Sequence, residues 1–224
     1  MFRFKQFTVS NDRAAMRVGT DGVLLGAWTA VEGASRVLDV GTGTGVVALM
    51  IAQRARTALI KAIDIDADAV GEASDNFARS PWSDRLSASQ CAFQHYRGGS
   101  FDLIVCNPPY YNGHAVTGEA RAHARHSASL TLENLIVGSR QLLSPCGSLS
   151  LVLPADLDAD VRRLAVVNRL HVARHTAVCT VPGRPAKRSL WQLSVERVEP
   201  VSSTLVLNTP EHAALVSDFL LDAQ

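Results

Sequence analysis

A short apolar run, Arg36-Val37-Leu38-Asp39-Val40, leads straight into Gly41-Thr42-Gly43-Thr44-Gly45, and Val46, Val47, Leu49, Met50 and Ile51 then recur as a helix would require. A strand that becomes a helix within one short loop needs backbone conformations that side chains resist, and glycine supplies them. This junction constrains the fold more than any other feature. It commits the chain to a strand-to-helix crossover, and crossovers of this kind build parallel sheets.

The pattern repeats downstream. Leu59 to Ile63 reads as a second strand ending at Asp64, and Asp66 caps a helix carrying Val70, Ala73 and Phe77 on one face. Leu86 to Cys91 is a weaker third strand and Phe101 to Cys106 a fourth. Leu132, Leu135, Ile136, Leu142 and Leu143 mark a helix stopped by Ser144-Pro145-Cys146-Gly147, and Leu149 to Leu153 is a fifth strand. Leu190 to Val195 and Thr204 to Leu207 are expected to pair as antiparallel edge strands, with a last helix opening at Thr209-Pro210-Glu211. The expected fold is α/β and Rossmann-like: a mostly parallel, seven-stranded sheet with helices on both faces. At 224 residues the chain suits a single domain. It divides into an N-terminal segment over 1–35 packed on the core, a ligand-binding and catalytic core over 36–154, and C-terminal antiparallel strands with a helix over 155–224.

Composition narrows the setting. Apolar residues make up 47% and charged residues 19%, with a net charge of +1, so any polyanion must be met by local patches. Cys91, Cys106, Cys146 and Cys179 show no metal-ligand spacing, and no metal site is expected. With no signal-like start and no long apolar span, the expected compartment is the cytoplasm, without membrane attachment. The expected state is monomeric.

Two motifs carry chemistry. In an open parallel sheet, ligands bind beyond the carboxyl ends of the strands, where the glycine loop and Asp64 both fall. A carboxylate there can accept both ribose hydroxyls of a nucleoside. The spacing is G-x-G-x-G rather than the dinucleotide-binding G-x-G-x-x-G. Asp39 at the loop's start would repel a pyrophosphate yet tolerate the cationic end of S-adenosylmethionine. The second motif, Asn107-Pro108-Pro109-Tyr110, ends the fourth strand. The Asn107 amide oxygen and the Pro108 carbonyl can accept the two hydrogens of a planar NH2 group while Tyr110 stacks on its ring. Together the motifs point to methyl transfer onto an amide or exocyclic nitrogen.

Phe4-Lys5-Gln6-Phe7, Asp12-Arg13, the block Val18 to Trp28, the glycine loop and Asn107-Pro108-Pro109-Tyr110-Tyr111 occur in this order. In that order and wording the chain resembles the bacterial tRNA(Val) adenine-N6-methyltransferase family of class I S-adenosylmethionine-dependent enzymes. The resemblance implies N6-methylation of the adenine just 3′ of the anticodon in a valine tRNA. It implies cofactor contacts from Asp39, Gly41, Thr42, Gly43, Gly45 and Asp64, and catalytic roles for Asn107, Pro108 and Tyr110. Pro109 and Tyr111 would adjoin the target base, and Thr20 and Asp21 would line the same cavity, although Asp21 can also be read as a cap for a helix starting near Val23. The chain departs from the family at Gln90-Cys91-Ala92-Phe93, where relatives commonly carry an acid facing the cofactor adenine; Gln90 or a backbone amide would have to substitute.

Arg121 and Arg125, in a histidine-containing stretch after the motif, are expected to track RNA phosphates. Arg184, Lys187 and Arg188 form a second basic stretch. Three other readings stay open: a protein glutamine N5-methyltransferase, a catalytically silent RNA-binding member of the fold, and a dinucleotide-dependent oxidoreductase. The short N-terminal lead opposes the first, since such enzymes usually carry a sizeable domain there; the loop spacing and Asn107 to Tyr110 oppose the last.

Overall fold

The computed structural model describes residues 1–14, 17–108 and 130–221. A minor antiparallel pair, β1 (Phe2–Arg3) and β2 (Thr8–Val9), precedes helix α1 (Thr20–Trp28). The alternating core follows: β3 (Arg36–Val40), α2 (Val46–Arg54), β4 (Leu59–Asp64), α3 (Ala67–Ala78), β5 (Leu86–Gln90) and β6 (Phe101–Cys106). Beyond it come α4 (Leu132–Leu142), β7 (Leu143–Pro154), α5 (Asp158–Val167), β8 (His171–Cys179), β9 (Arg188–Ser194), β10 (Val201–Val206) and α6 (Pro210–Val216).

The main sheet has the order β10-β8-β9-β7-β6-β3-β4-β5 and holds eight strands, one more than the sequence reading assigned. The order in which strands are added reverses at β3: β4 and β5 lie to one side, β6 and β7 to the other. All five pair in parallel, whereas β9 runs antiparallel between β7 and β8. The expected pairing of Leu190–Val195 with Thr204–Leu207 does not occur. β8 separates them, and β10 joins β8 in parallel. β8 escapes sequence reading because its sides are closed by polar residues with aromatic partners. The Arg174 guanidinium lies 4.2 Å from the Trp28 ring centre, and His175 packs 4.2 Å from Trp191. Such residues bury their flat faces while breaking the apolar alternation that signals a strand. The helix stop at Ser144 to Gly147 proves to be the irregular start of β7, where its register with β6 shifts.

The register of β3 with its neighbours is pinned at the strand starts. Asp102 Oδ2 on β6 accepts from the Ser35 and Arg36 backbone N–H groups at 3.0 and 3.1 Å, and its Oδ1 accepts from Ser144 Oγ at 3.0 Å. Burial alone would raise this carboxyl's pKa, but those donors and the Arg36 charge more than offset it and hold the group below its ordinary value.

The core lies on both faces of the sheet. On one, α1 and α2 pack with Phe4, Phe7, Leu24, Leu25, Leu49 and Phe219; on the other, Ile104, Ile136, Leu151 and Trp191 pack beneath α4 and α5. Phe4 and Phe7 stack at 4.4 Å, and the Lys5 N–H bonds to the Phe219 carbonyl at 2.8 Å, so the N-terminal segment and the C-terminal turn close the same side. No helix among the described residues is long and apolar enough to cross a membrane.

α1 approaches α2 closely because Gly26 has no side chain. A Cβ there would lie 2.9 Å from Met50 Cβ and 2.7 Å from its sulfur. Gly26→Ala is expected to lower the unfolding free energy in urea melts by roughly 1–3 kcal/mol, despite the better helix propensity of alanine. A variant as stable as the parent would show that the two helices can separate freely.

Candidate active site

Parallel register brings the chemical groups together. Val40 on β3 pairs with Ile63 on β4 and with Cys106 on β6, so Gly41, Asp64 and Asn107 stand at one level on the carboxyl edge of three adjacent strands. That is the reversal point of the sheet, where a crevice opens between divergent crossovers.

The glycine loop has left-handed backbone at Gly41 and Gly43, with φ of 68° and 54°. Among the described residues a Cβ at either would meet nothing within 4 Å, so glycine is required there by conformation and not by crowding. The loop is tied down from behind: Gly41 and Thr42 N–H donate to the Ile63 carbonyl at 2.9 and 3.1 Å. Asp64 is half-buried; Oδ2 accepts from Gly43 N–H at 2.9 Å and Oδ1 from Asp66 N–H at 3.0 Å. A carboxylate has about four acceptor positions, and among the described residues one on each oxygen is left for a ligand, enough for two adjacent hydroxyls. Asp66 caps α3 as expected, accepting from Asp68 N–H at 2.9 Å.

Asp39 is 2% exposed, beneath the loop rather than on its open face, and Thr42 Oγ1 donates to its Oδ2 at 2.7 Å. The Thr42 side chain is thus a brace within the loop. Burial, with a smaller push from the Asp64 charge, raises the Asp39 pKa from 3.8 to about 7, against a partial offset from Thr42. Gln90 Nε2 is spent on the Ile65 carbonyl at 3.0 Å, and the Cys91 N–H bonds to Asp64 O at 2.8 Å.

Asn107 lies at the end of β6. Its Oδ1 is buried and has no hydrogen-bond partner among the described residues. A methyl added to Gly22 of α1 would come within 3.7 Å of Asn107 Nδ2, so the first turn of α1 forms the wall beside this amide. α1 begins at Thr20 behind Gly19, which makes no side-chain cap. Asp21 is therefore not its cap. Its Oδ2 instead accepts from Arg188 Nε on β9 at 2.9 Å, an ion pair spanning the rim of the crevice. Thr20 is exposed at the same turn. Pro108 is buried, while Pro109, Tyr110, Tyr111, Arg121 and Arg125 lie outside the described residues.

Residues 18–181 match the methyltransferase small domain family. A tRNA1(Val) (adenine(37)-N6)-methyltransferase of Bacteroides thetaiotaomicron is 44% identical over 214 residues, covering 94% of this chain and 90% of that protein. One from Aeromonas salmonicida is 46% identical over 194 residues, covering 86% and 82%. The chain belongs to the tRNA1(Val) (adenine(37)-N6)-methyltransferase family. Solved structures agree on the fold. A predicted O-methyltransferase from Agrobacterium tumefaciens superposes with a TM-score of 0.70 at 20% identity, covering 92% of this chain and 99% of that one. Magnesium protoporphyrin IX methyltransferase from Synechocystis, solved with S-adenosylmethionine, gives 0.54 at 20% identity, covering 78% and 76%. The enzyme is a class I methyltransferase in architecture, and β10 is added at the edge beyond β8.

The raised pKa of Asp39 has a stability consequence. The folded state holds this proton more tightly than the unfolded chain, so the group's effect on stability is nil at low pH. It becomes increasingly destabilising as pH rises from about 4 to about 7, then levels off. Asp39→Asn keeps an acceptor for Thr42 and has no charge to bury. Urea melts of the ligand-free enzyme should show the variant gaining on the parent between pH 5 and 8, by a few kcal/mol on the order given by linkage. Parallel pH curves for the two proteins would contradict the assignment.

Proposed function

We propose that the enzyme transfers a methyl group from S-adenosylmethionine to N6 of an adenine in tRNA, the one just 3′ of the anticodon in a valine tRNA. It acts as a cytoplasmic monomer. The observation that carries this reading is the buried Asn107 Oδ1, which has no hydrogen-bond partner among the described residues and lies level with the glycine loop at the mouth of the crevice. A buried acceptor without a donor costs about 1–3 kcal/mol, and the NH2 of a base inserted beside it would relieve that cost.

The residues present fit the cofactor. The open face of Gly41 and Gly43 accommodates a ligand against the backbone, and the free acceptor positions of Asp64 suit the ribose hydroxyls. The negative charge of ionised Asp39 beneath the loop favours a cationic group above it. When bound, S-adenosylmethionine supplies a methyl on positively charged sulfur, an electrophile that needs only an aligned lone pair.

An adenine amino nitrogen is a poor nucleophile because its lone pair is drawn into the ring. Asn107 Oδ1 and the Pro108 carbonyl would take its two hydrogens, favour tetrahedral geometry and free the lone pair. The same acceptors stabilise the positive charge that grows on nitrogen as it reacts. The proton then lost is strongly acidic, so no potent base is needed. Orientation carries much of the barrier reduction, and the α1 wall at Gly22 helps to fix the Asn107 amide plane. Tyr110 would stack on the target base, with Pro109 and Tyr111 beside it, and Arg121 and Arg125 would meet flanking phosphates. Flipping the base out of the anticodon loop is least costly where it is already single-stranded.

Asn107→Ala should reduce N6-methyladenine formation roughly 100-fold or more, while calorimetry shows cofactor affinity within about twofold of the parent, since this side chain faces the base. Asp64→Ala should do the reverse, weakening cofactor binding by roughly 10–100-fold through loss of charge-assisted bonds. Labelled cofactor offered with separate tRNA, ribosomal RNA, DNA and protein pools tests the substrate. Label in protein and not in tRNA would overturn the proposal.

A further inference from the structure

Two buried polar side chains on α3 take no part in the chemistry above. Glu72 is 1% exposed and Asn76 0%, and a spacing of four residues sets them on one face of the helix. A carboxylate at that depth is stable only among donors, and here the main chain of the N-terminal segment provides them. Glu72 Oε1 accepts from Asp12 and Arg13 N–H at 2.7 and 3.1 Å, and Oε2 from Ala14 N–H at 2.9 Å. Burial by itself would raise the Glu72 pKa, but these N–H groups and the Arg13 charge outweigh it and hold the carboxyl below its ordinary value. The Arg13 guanidinium also pairs with Asp75.

Asn76 extends the same clasp to the glycine loop. Its Oδ1 accepts from Ser10 N–H at 2.9 Å, and its Nδ2 donates to the Ser10 carbonyl at 3.0 Å and to the Thr44 carbonyl at 2.9 Å. Residues 10–14 have no helix or strand hydrogen bonding of their own. Their position depends on this clasp.

Its location gives it meaning. Glu72 is one turn nearer than Asn76 to the N-terminus of α3, which opens just after Asp64. Residues 10–14 therefore run along α3 from Asn76, which also holds the Thr44 carbonyl of the loop, toward the helix N-terminus that follows Asp64. α1 begins at Thr20, with Gly22 of its first turn beside Asn107. Both anchorages are at the carboxyl edge of the sheet.

We propose that Glu72 and Asn76 are positioning residues for the cofactor: they dock residues 10–14 as the outer wall of the glycine-loop pocket, coupling the order of that segment to cofactor binding. This rests on the assignment of the loop to S-adenosylmethionine. By linkage, a ligand that uses the docked wall must stabilise it, and loosening the wall must lower affinity by the fraction of molecules in which it is undocked.

Hydrogen exchange on the full chain, with and without saturating S-adenosylhomocysteine, tests the coupling. The amides of Asp12, Arg13 and Ala14 should exchange about tenfold more slowly with ligand, whereas those of the outer strand β10 should not change. Glu72→Gln sets an amide NH2 against backbone N–H donors. It should raise the cofactor dissociation constant and KM about tenfold, with kcat and the KM for tRNA within about twofold. Asn76→Asp, which cannot donate to Thr44, should behave alike, and each variant is measured only after a cooperative melt shows that it folds. A purely structural role would lower the melting temperature and leave the dissociation constant at the parental value, and that result overturns the proposal. So would unchanged exchange at residues 12–14 when calorimetry shows the ligand bound. Calorimetry showing no binding to the parent would instead remove the cofactor assignment, and this inference with it.

Discussion

The site depends on the parallel register of β3 against β4 and β6. Hydrogen bonding that sets Val40 opposite both Ile63 and Cys106 brings Gly41, Asp64 and Asn107 to the same height, although they come from distant parts of the chain. In a sheet, a slip of one residue would turn every side chain to the opposite face. Burial on both faces resists such a slip: Val37, Leu38 and Ile104 are 0–1% exposed. Asp102, with its two bonds to the start of β3, resists it from the opposite end. The chemistry at the carboxyl edge is thus indexed by contacts at the amino edge.

The chain handles its buried and half-buried acids in two ways. Asp64, Glu72 and Asp102 each accept from at least two backbone N–H groups. Each ties together segments remote in sequence, because a carboxylate in a poorly solvated place gathers whatever donors can reach it. Asp39 differs. Its one hydrogen-bonding side chain is Thr42, so burial dominates and its pKa rises to about 7. The enzyme therefore keeps an acid whose burial outweighs its hydrogen bonds under the loop where a cation is proposed to bind, and its well-satisfied acids where they hold the frame.

Much of this was readable without coordinates. Local rules governed the strand, glycine loop and helix junction, the Asp66 cap and the apolar core strands, and all appear as expected. β8 was not readable, because its order comes from Arg174 on Trp28 of α1 and His175 on Trp191 of β9, contacts with remote elements that leave no local periodicity. For Asp21, the sequence favours a place in the cavity over a capping role but gives no sign of its Arg188 partner, which lies 167 positions away. Glu72 and Asn76 carry no local sign of their role, since nothing in α3 indicates that the N-terminal segment will cover that face.

What the sequence determined by itself was the class of chemistry and the kind of sheet. Glycine spacing, a carboxylate after the second core strand and Asn107-Pro108 after a buried strand are short-range patterns, and backbone sterics and hydrogen-bonding capacity limit what each can do. What only the tertiary structure decided was which groups share a space and which are already spent. Asn107 Oδ1 has no partner among the described residues, while Gln90 is engaged, Asp21 is neutralised, and Glu72 grips residues 12–14. The physical reason is that donors and acceptors are matched through space after folding, so an acceptor's availability depends on the whole chain and not on its neighbours in sequence.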